Sequence, residues 1–371
     1  MSGYRIPYVD LPRQYKTLRE ELLDAQDQVY RSGQVLDGRN TQVFEASIAA
    51  RCNRKYAVAV NSCTNALMFA VTASAGSGVL LPSLSFVASV NAVLASGRTP
   101  HFTDVDDQGL LNIDTIDRHL PDHDISIMMY VNLYGNVLDQ DRLKVYTDFF
   151  NSENRIAVIE DAAQSFGSSW RGRPSGSLGD ISCLSFDPMK NLPNYGSGGM
   201  VLTDDAWIAE AILDLRDNGK RSNHLNWGIN CKMSEADCAA MLVKLRYFDS
   251  WQARRREIAE YYTQQLRTNR FIRVPQVSEE VEHCWHKYVV QTDMRKKFLA
   301  YMADECGIEC RVHYDYVLPS FFTDKEVSPS DYHVARQVKN QVVSLPIYPE
   351  LTDSEVESIA DAAKRFNTWL D

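Results

Sequence analysis

The run V-I-E-D-A-A-Q-S-F-G at residues 158–167 is followed by G-S-L-G-D-I-S-C-L-S-F-D-P-M-K-N at 176–191 and G-S-G-G-M-V-L-T-D-D at 196–205. Each run holds an apolar segment of strand length. The first segment ends on two acids, Glu160 and Asp161, and the second leads through Pro188 to Lys190. In an open α/β sheet, ligands bind beyond the carboxyl ends of the strands, so a carboxylate there faces the crevice. Between Lys190 and the third segment lies a turn with Gly196, Gly198 and Gly199. Glycines in such a turn let backbone approach a ligand closely.

An acid and a lysine, each near a strand end, suit pyridoxal phosphate. The lysine forms a Schiff base with the cofactor aldehyde. The acid pairs with the pyridine nitrogen and keeps the ring an electron sink. The same spacing also suits a surface lysine and a strand-capping aspartate. Two further segments bear on the choice. Val58-Ala59-Val60-Asn61-Ser62-Cys63-Thr64 runs from a strand into a helix through small polar residues. Backbone N–H groups of Ser62, Cys63 and Thr64, with the hydroxyls of Ser62 and Thr64, would cradle a phosphate there, or Ser62 or Thr64 would simply cap the helix. Leu81-Pro82-Ser83-Leu84-Ser85-Phe86 places an aromatic just past a strand end. Phe86 is positioned to stack on a cofactor ring, or to join the core.

Working outward, the periodicity predicts strands at Tyr56–Val60, Gly78–Leu81, Pro100–Val105, Ser126–Leu133, Ile156–Glu160, Ile181–Phe186 and Met200–Thr203. Several are continuously apolar, as strands covered on both faces are. Helical stripes intervene: Phe44, Ile48 and Cys52, then Ile208, Ile212 and Leu215. The alternation predicts an α/β fold with a mostly parallel central sheet flanked by helices. Near Ser234 the texture changes to a long helical region running through Leu245 to Leu266. Strands are predicted at Tyr288–Thr292 and Arg311–Tyr314. A final helix opens on the capping-box spacing Thr352-Asp353-Ser354-Glu355 and carries the stripe Val356, Ile359, Ala363, Phe366 and Leu370. Residues 1–245 are read as a large domain with an N-terminal arm, and 246–371 as a smaller α+β domain.

The ordered set S-C-T-N-A-L, P-S-L-S-F-V-A-S, N-L-Y-G, E-D-A-A-Q, G-S-L-G-D, S-F-D-P-M-K-N, G-G-M-V-L-T-D-D, G-I-N-C-K-M-S-E-A-D-C-A-A and L-P-I-Y-P-E-L-T resembles the DegT/DnrJ/StrS aminotransferase family. The resemblance runs from about Ile6 to the C-terminus. It implies a fold-type I pyridoxal-phosphate enzyme acting on nucleotide-linked keto sugars, dTDP- or UDP-linked. By resemblance, Lys190 matches the Schiff-base lysine, Asp161 the partner of the pyridine nitrogen, and Gln164 the residue on the ring hydroxyl. Phe86 matches the stacked aromatic, and Cys63, Thr64 and Ser185 the phosphate cup. Asn230 matches an asparagine that reaches the phosphate from a neighbouring subunit, which implies a homodimer with shared active sites. His313 and Tyr314 match a region near the sugar. The basic stretch Asn218-Gly219-Lys220-Arg221 is a candidate diphosphate contact through Lys220 and Arg221. The sequence departs from the family at Cys63, where glycine is usual, at Asn132, where histidine is common, and at Cys231-Lys232, where Tyr or Ser followed by Arg is usual. None of these touches the lysine, the acid or the glutamine.

Composition sets the outer bounds. The chain has 371 residues, 44% hydrophobic and 24% charged, enough for roughly two domains. Its 39 basic and 49 acidic residues give a net charge of −10, a poor match to nucleic acid or an anionic membrane. The eight cysteines form no CxxC pair, and no metal site is expected. Absence of a signal region or a long apolar run predicts a cytoplasmic protein. The implied activity is two-step transamination. An amino acid, L-glutamate by resemblance, gives its amine to a keto group at C3 or C4, with C3 preferred because the helix at 243–262 resembles those of relatives that aminate the third carbon. Alternatives are a keto-inositol-type acceptor, a sugar dehydratase, in which histidine replaces the lysine, and a non-catalytic regulatory relative.

Overall fold

The computed structural model describes residues 3–118, 125–151, 156–221, 226–322 and 331–369. The seven strands expected in the first two-thirds form one sheet. They are β1 (Tyr56–Val60), β2 (Gly78–Pro82), β3 (Thr99–Thr103), β4 (Ile125–Val131), β5 (Ala157–Asp161), β6 (Ile181–Ser185) and β7 (Gly199–Thr203), in the order β1-β7-β6-β5-β4-β2-β3. β7 is antiparallel to both neighbours and every other pairing is parallel. Register aligns the functional end: Val131 of β4, Asp161 of β5 and Cys183 of β6 sit level across three parallel strands.

The helices are α1 (Leu11–Ser32), α2 (Arg39–Arg51), α3 (Cys63–Ala73), α4 (Ala88–Ala95), α5 (Gln140–Asn151), α6 (Ala206–Arg216), α7 (Glu235–Leu245) and α8 (Phe248–Leu266). Leu67 and Val71 of α3 and Val90 and Val93 of α4 pack on Leu81, Met129 and Ile159 of the sheet. On the other face Phe44 and Ile48 of α2 and Met241 of α7 meet Ala59, Leu184 and Leu202. Burial on both faces explains the unbroken apolar strands. α1 is capped by Asp10, whose carboxylate accepts the Arg13 amide at 3.0 Å, and ends at Gly33 with φ +72°. Its Leu18 and Leu22 pack against Ala240 and Val243 of α7.

The long helical region after Ser234 is two helices. The break falls at Arg246 and Tyr247, whose side chains both bond Glu21 of α1. Val243 before the break enters the cluster with α1, while Phe248 after it enters the cluster with Phe166 and Phe186.

Beyond α8, β8 (Tyr288–Gln291) pairs antiparallel with β9 (Val342–Leu345). Ile258, Tyr262 and Leu266 of α8 pack with Tyr288, Val290, Val343 and Phe366, and Ile6 from the N-terminal arm joins them. The C-terminal helix Asp353–Trp369 has the expected box: the Thr352 amide donates to Glu355 Oε2 at 2.8 Å and the Glu355 amide to Thr352 Oγ1 at 3.3 Å. Val356, Ile359, Ala363 and Phe366 are buried as predicted, and Leu370 lies outside the described residues. The strand predicted at Arg311–Tyr314 is not one. Only Arg311 bridges to Ser344, with backbone hydrogen bonds of 3.1 and 2.8 Å. The next residues leave the sheet because His313 and Tyr314 turn into a cavity. Among the described residues no helix is long and apolar enough to cross a membrane, and no group of three His, Cys, Asp or Glu could hold a metal ion.

Candidate active site

Strand alternation sends the adjacent acids Glu160 and Asp161 to opposite faces. Glu160 is fully buried and saturated. Its oxygens accept hydrogen bonds from Asn132 Nδ2 (2.9 Å), Ser175 Oγ (2.6 Å), Ser182 Oγ (2.7 Å) and the amides of Gly176 and Leu178 (3.0 and 2.9 Å). It is a structural anchor, and Asn132, one of the departures, serves it. Asp161 instead faces a cavity of about 270 Å³ at the carboxyl ends of β4, β5 and β6. Ser89 Oγ of α4 donates to Asp161 Oδ2 at 2.8 Å and the Ala163 amide to Oδ1 at 3.1 Å. Burial raises the Asp161 pKa, while those two hydrogen bonds and nearby Lys190 pull it back. A cationic ring nitrogen beside it would pull it further down.

Lys190 lies five residues past β6, in a turn held by its own amide donating to Asp187 O at 2.9 Å. Its amine is in the same cavity. Burial lowers the Lys190 pKa against the pull of Cys63, Asp187 and Asp161. Such an amine is more readily a nucleophile or base than a surface lysine is.

The N-terminus of α3 also borders the cavity, lined there by Ser62, Cys63 and Thr64 together with Ser185. Ser62 caps the helix: its Oγ accepts the Asn65 amide at 3.3 Å. The amides of Cys63 and Thr64 belong to the first turn, which has no carbonyl of its own to bond, so they are available to an anion. The glycine turn has a different job from the one expected. A Cβ at Gly199 would sit 2.5 Å from Ser62 C and 2.6 Å from Cys63 N. Gly199 therefore lets β7 pass directly under the cup, and the close approach is backbone to backbone. Burial, then Asp161, holds the Cys63 thiol well above its ordinary pKa, so it stays neutral.

Tyr134 and Gly135, at φ +63° and +101°, make a tight turn after β4. That turn ends the strand before Leu133 and aims the Tyr134 amide at Gln164 Oε1 (3.0 Å). Gln164 Nε2 donates to Tyr314 Oη at 3.2 Å. The Tyr134 hydroxyl donates to the His313 carbonyl. His313 Nδ1 lies 2.8 Å from Ser344 Oγ. Burial, with Lys287, Arg311 and Lys190 nearby, pushes the His313 pKa down to about 2, so its imidazole is neutral. Phe86 stands at the rim, 49% exposed, its ring 5.7 Å from that of Tyr314.

Nine of the predicted residues thus share one cavity: Cys63, Thr64, Phe86, Asp161, Gln164, Ser185, Lys190, His313 and Tyr314. Asn230, Lys220 and Arg221 do not line it. Asn230 is exposed and its backbone bridges to Asp217. Lys220 is paired with Asp217 at 3.2 Å, which Lys232 also contacts, and the Arg221 amide donates to Asp214 at 2.7 Å. Sequence reasoning missed Ser89, His286, Lys287 and Arg311, which also line the cavity. Ser85 and Ser89, four residues apart and 3.1 Å between hydroxyls, were a readable pair. Nothing local marks Lys287.

The donor set fits pyridoxal phosphate. A buried carboxylate serves the ring nitrogen, a buried amine the aldehyde, and a helix N-terminus with Ser185 the phosphate.

A family model described as the DegT/DnrJ/EryC1/StrS aminotransferase family matches residues 16–364. The chain is 33% identical over 368 residues to a dTDP-3-amino-3,6-dideoxy-alpha-D-galactopyranose transaminase of Aneurinibacillus thermoaerophilus, covering 97% of this chain and 99% of that protein. It is 32% identical over 379 residues to a dTDP-3-amino-3,4,6-trideoxy-alpha-D-glucose transaminase of Streptomyces venezuelae, covering 99% and 97%. The crystal structure of S. venezuelae DesV in complex with a ketimine intermediate superposes with a TM-score of 0.92 at 31% identity, covering 98% of each chain.

Proposed function

The chain belongs to the DegT/DnrJ/EryC1/StrS aminotransferase family, and on that premise we propose that it aminates C3 of a nucleotide-linked deoxy keto sugar, with L-glutamate as donor. The observation that carries the reading is the meeting of Asp161, Lys190 and the open N-terminus of α3 in one cavity. Transfer to C3 is supported by two full-length relatives whose names place the amine there.

Pyridoxal phosphate, the cofactor of this family, supplies the electron sink that makes the donor's α-proton removable. The chain supplies everything else. Asp161 holds a proton at the ring nitrogen. The α3 amides and Ser185 fix the phosphate end, and Phe86 covers the ring face, so that the plane is set. Lys190 Nζ takes the proton from the donor's α-carbon, and its lowered pKa favours the free amine this requires. Gln164, held by the Tyr134 amide, would fix the ring hydroxyl side. A homodimer completes the proposal: Asn230, exposed and outside its own cavity, would reach the partner's phosphate.

Lys190→Ala is the direct test. It should lose both turnover and the visible absorbance band of the cofactor-loaded protein. A Lys190→Ala protein that still transaminates refutes the assignment.

A further inference from the structure

Two cations of the cavity have no part in the scheme above. Lys287 is 4% exposed and lines the cavity beside His286. Its backbone is fixed by donating to Tyr134 O at 3.0 Å, the same turn that positions Gln164. Among the described residues its ammonium has no hydrogen-bond or ion-pair partner. Its Nζ lies 5.7 Å from the centroid of the Tyr8 ring. The Arg311 guanidinium lies 5.1 Å from the same centroid and also lines the cavity. Arg311 is tied to Glu309 through Nε and Nη2 (2.9 and 2.7 Å). Arg255, a third nearby cation, is spent on the carbonyls of Trp285 and Ile347 and does not line the cavity.

A buried ammonium without a counter-ion is costly. Here burial and the neighbouring Lys190, Arg255 and Arg311 all hold the Lys287 pKa well below that of a free lysine, and only Asp187 opposes. Asp161 and Asp187 are the acids lining the cavity, and both stand near Lys190. An anion arriving on the Lys287 side would raise the Lys287 pKa and favour the ammonium. Gln164 reaches that side through the Tyr134 turn, and Lys190 stands near enough to Lys287 to act on its pKa. In the transaminase reading the arriving donor brings its amine to the cofactor aldehyde that Lys190 would hold, and an anion on the same molecule would meet Lys287. An amino acid has both, at a fixed separation.

We propose that Lys287, with Arg311 across the Tyr8 ring, forms a carboxylate subsite that binds the amino donor. This rests on the transaminase reading and assigns its donor end. The subsite fills when the donor enters and empties when the keto acid leaves, so the acceptor sugar meets a cavity without that anion.

The test uses cofactor-loaded protein and three variants: Lys287→Gln, Lys287→Arg and Arg311→Gln. The donor half-reaction is followed through the cofactor's visible band as L-glutamate is varied, and succinate and dTDP are titrated calorimetrically as separate probes of carboxylate and diphosphate binding. The visible band of each variant reports that it is folded and loaded. Losing a charge-assisted hydrogen bond should raise the half-saturating L-glutamate and the succinate Kd by roughly tenfold or more in Lys287→Gln. The dTDP Kd should change by less than about twofold, being made elsewhere. Lys287→Arg should recover most of the loss and Arg311→Gln should show a smaller one. Unchanged glutamate and succinate binding in a loaded Lys287→Gln protein overturns the subsite, as does a loss confined to dTDP. A wild-type protein that takes no cofactor overturns the transaminase reading instead, and its succinate titration against Lys287→Gln still decides the subsite.

Discussion

Replacing Gly199 by alanine puts a methyl carbon 2.5 Å from Ser62 C and 2.6 Å from both Ser62 O and Cys63 N. Ordinary contact begins near 3.4 Å, so about 0.9 Å must open between β7 and the first turn of α3. All three atoms are backbone, and no side chain can rotate away. β7 is held on both sides by β1 and β6, so the cup has to move. Overpacking of this kind costs about 1–3 kcal/mol. A displacement near 1 Å also spoils hydrogen bonds from the Cys63 and Thr64 amides, and losing one charge-assisted bond to phosphate weakens binding by roughly 10- to 100-fold. Gly196 in the same turn is the internal control. A Cβ there meets only the Asn194 side chain at 3.5 Å and Asp237 Oδ1 at 3.8 Å. Gly199→Ala should therefore lower the thermal midpoint and raise the pyridoxal phosphate Kd, measured by fluorescence quenching, while Gly196→Ala leaves both near wild type. Equal behaviour of the two variants would refute the argument that this glycine exists to admit the cup.

Ser89→Ala removes the hydroxyl that bonds ionised Asp161. That bond lowers the Asp161 pKa, so its loss raises it, and the acidic limb of the kcat/KM profile should move to higher pH; a stationary limb would detach Ser89 from the site. Glu160→Ala strands the buried donors of Ser175, Gly176, Leu178 and Ser182 and should cost several kcal/mol of stability in denaturant melts, whereas a marginal loss would mean the network rearranges. Lys244, fully buried, donates to Pro193 O at 2.6 Å and lies over the Tyr195 ring. Burial lowers its pKa from 10.5 to about 7, so between about pH 7 and 10.5 the unfolded chain binds a proton that the folded chain does not, and this contribution makes stability rise with pH. Lys244→Met should lack that rise, so its stability relative to wild type should fall across the window; a constant difference would show that the amine is charged when folded.

Much of this was legible because the chemistry sits where strands end. Apolar runs located all seven strands of the main sheet to within a residue or two, since burial on both faces leaves little ambiguity in a continuous run. Asp161, Lys190 and the α3 turn follow from the same rule, as they are strand-to-loop junctions. What was illegible depends on contacts far apart in sequence. The helix break falls at Arg246 and Tyr247, whose side chains meet Glu21 some two hundred residues away. The predicted strand at Arg311 fails because His313 and Tyr314 are wanted in the cavity. β9 was missed because four residues following directly on a helix carry too little period to separate from it. Lys287 looks like an ordinary lysine flanking a strand, and only its burial beside Tyr8 distinguishes it.

The two adjacent acids show how one residue of alternation divides labour. Glu160 receives so many donors that its charge is fully answered inside the protein, and a ligand would gain nothing from it. Asp161 receives two, from Ser89 and Ala163, and the remaining capacity of its carboxylate points at the cavity. Shifting β5 by one position against its neighbours would exchange these roles and place the unsatisfied charge among the Ser175–Leu178 amides, where no ligand can reach. The parallel pairings Val131↔Asp161 and Asp161↔Cys183 are therefore part of the active site as much as the side chains are. The Glu160 network, remote from any ligand, is what makes that register costly to lose.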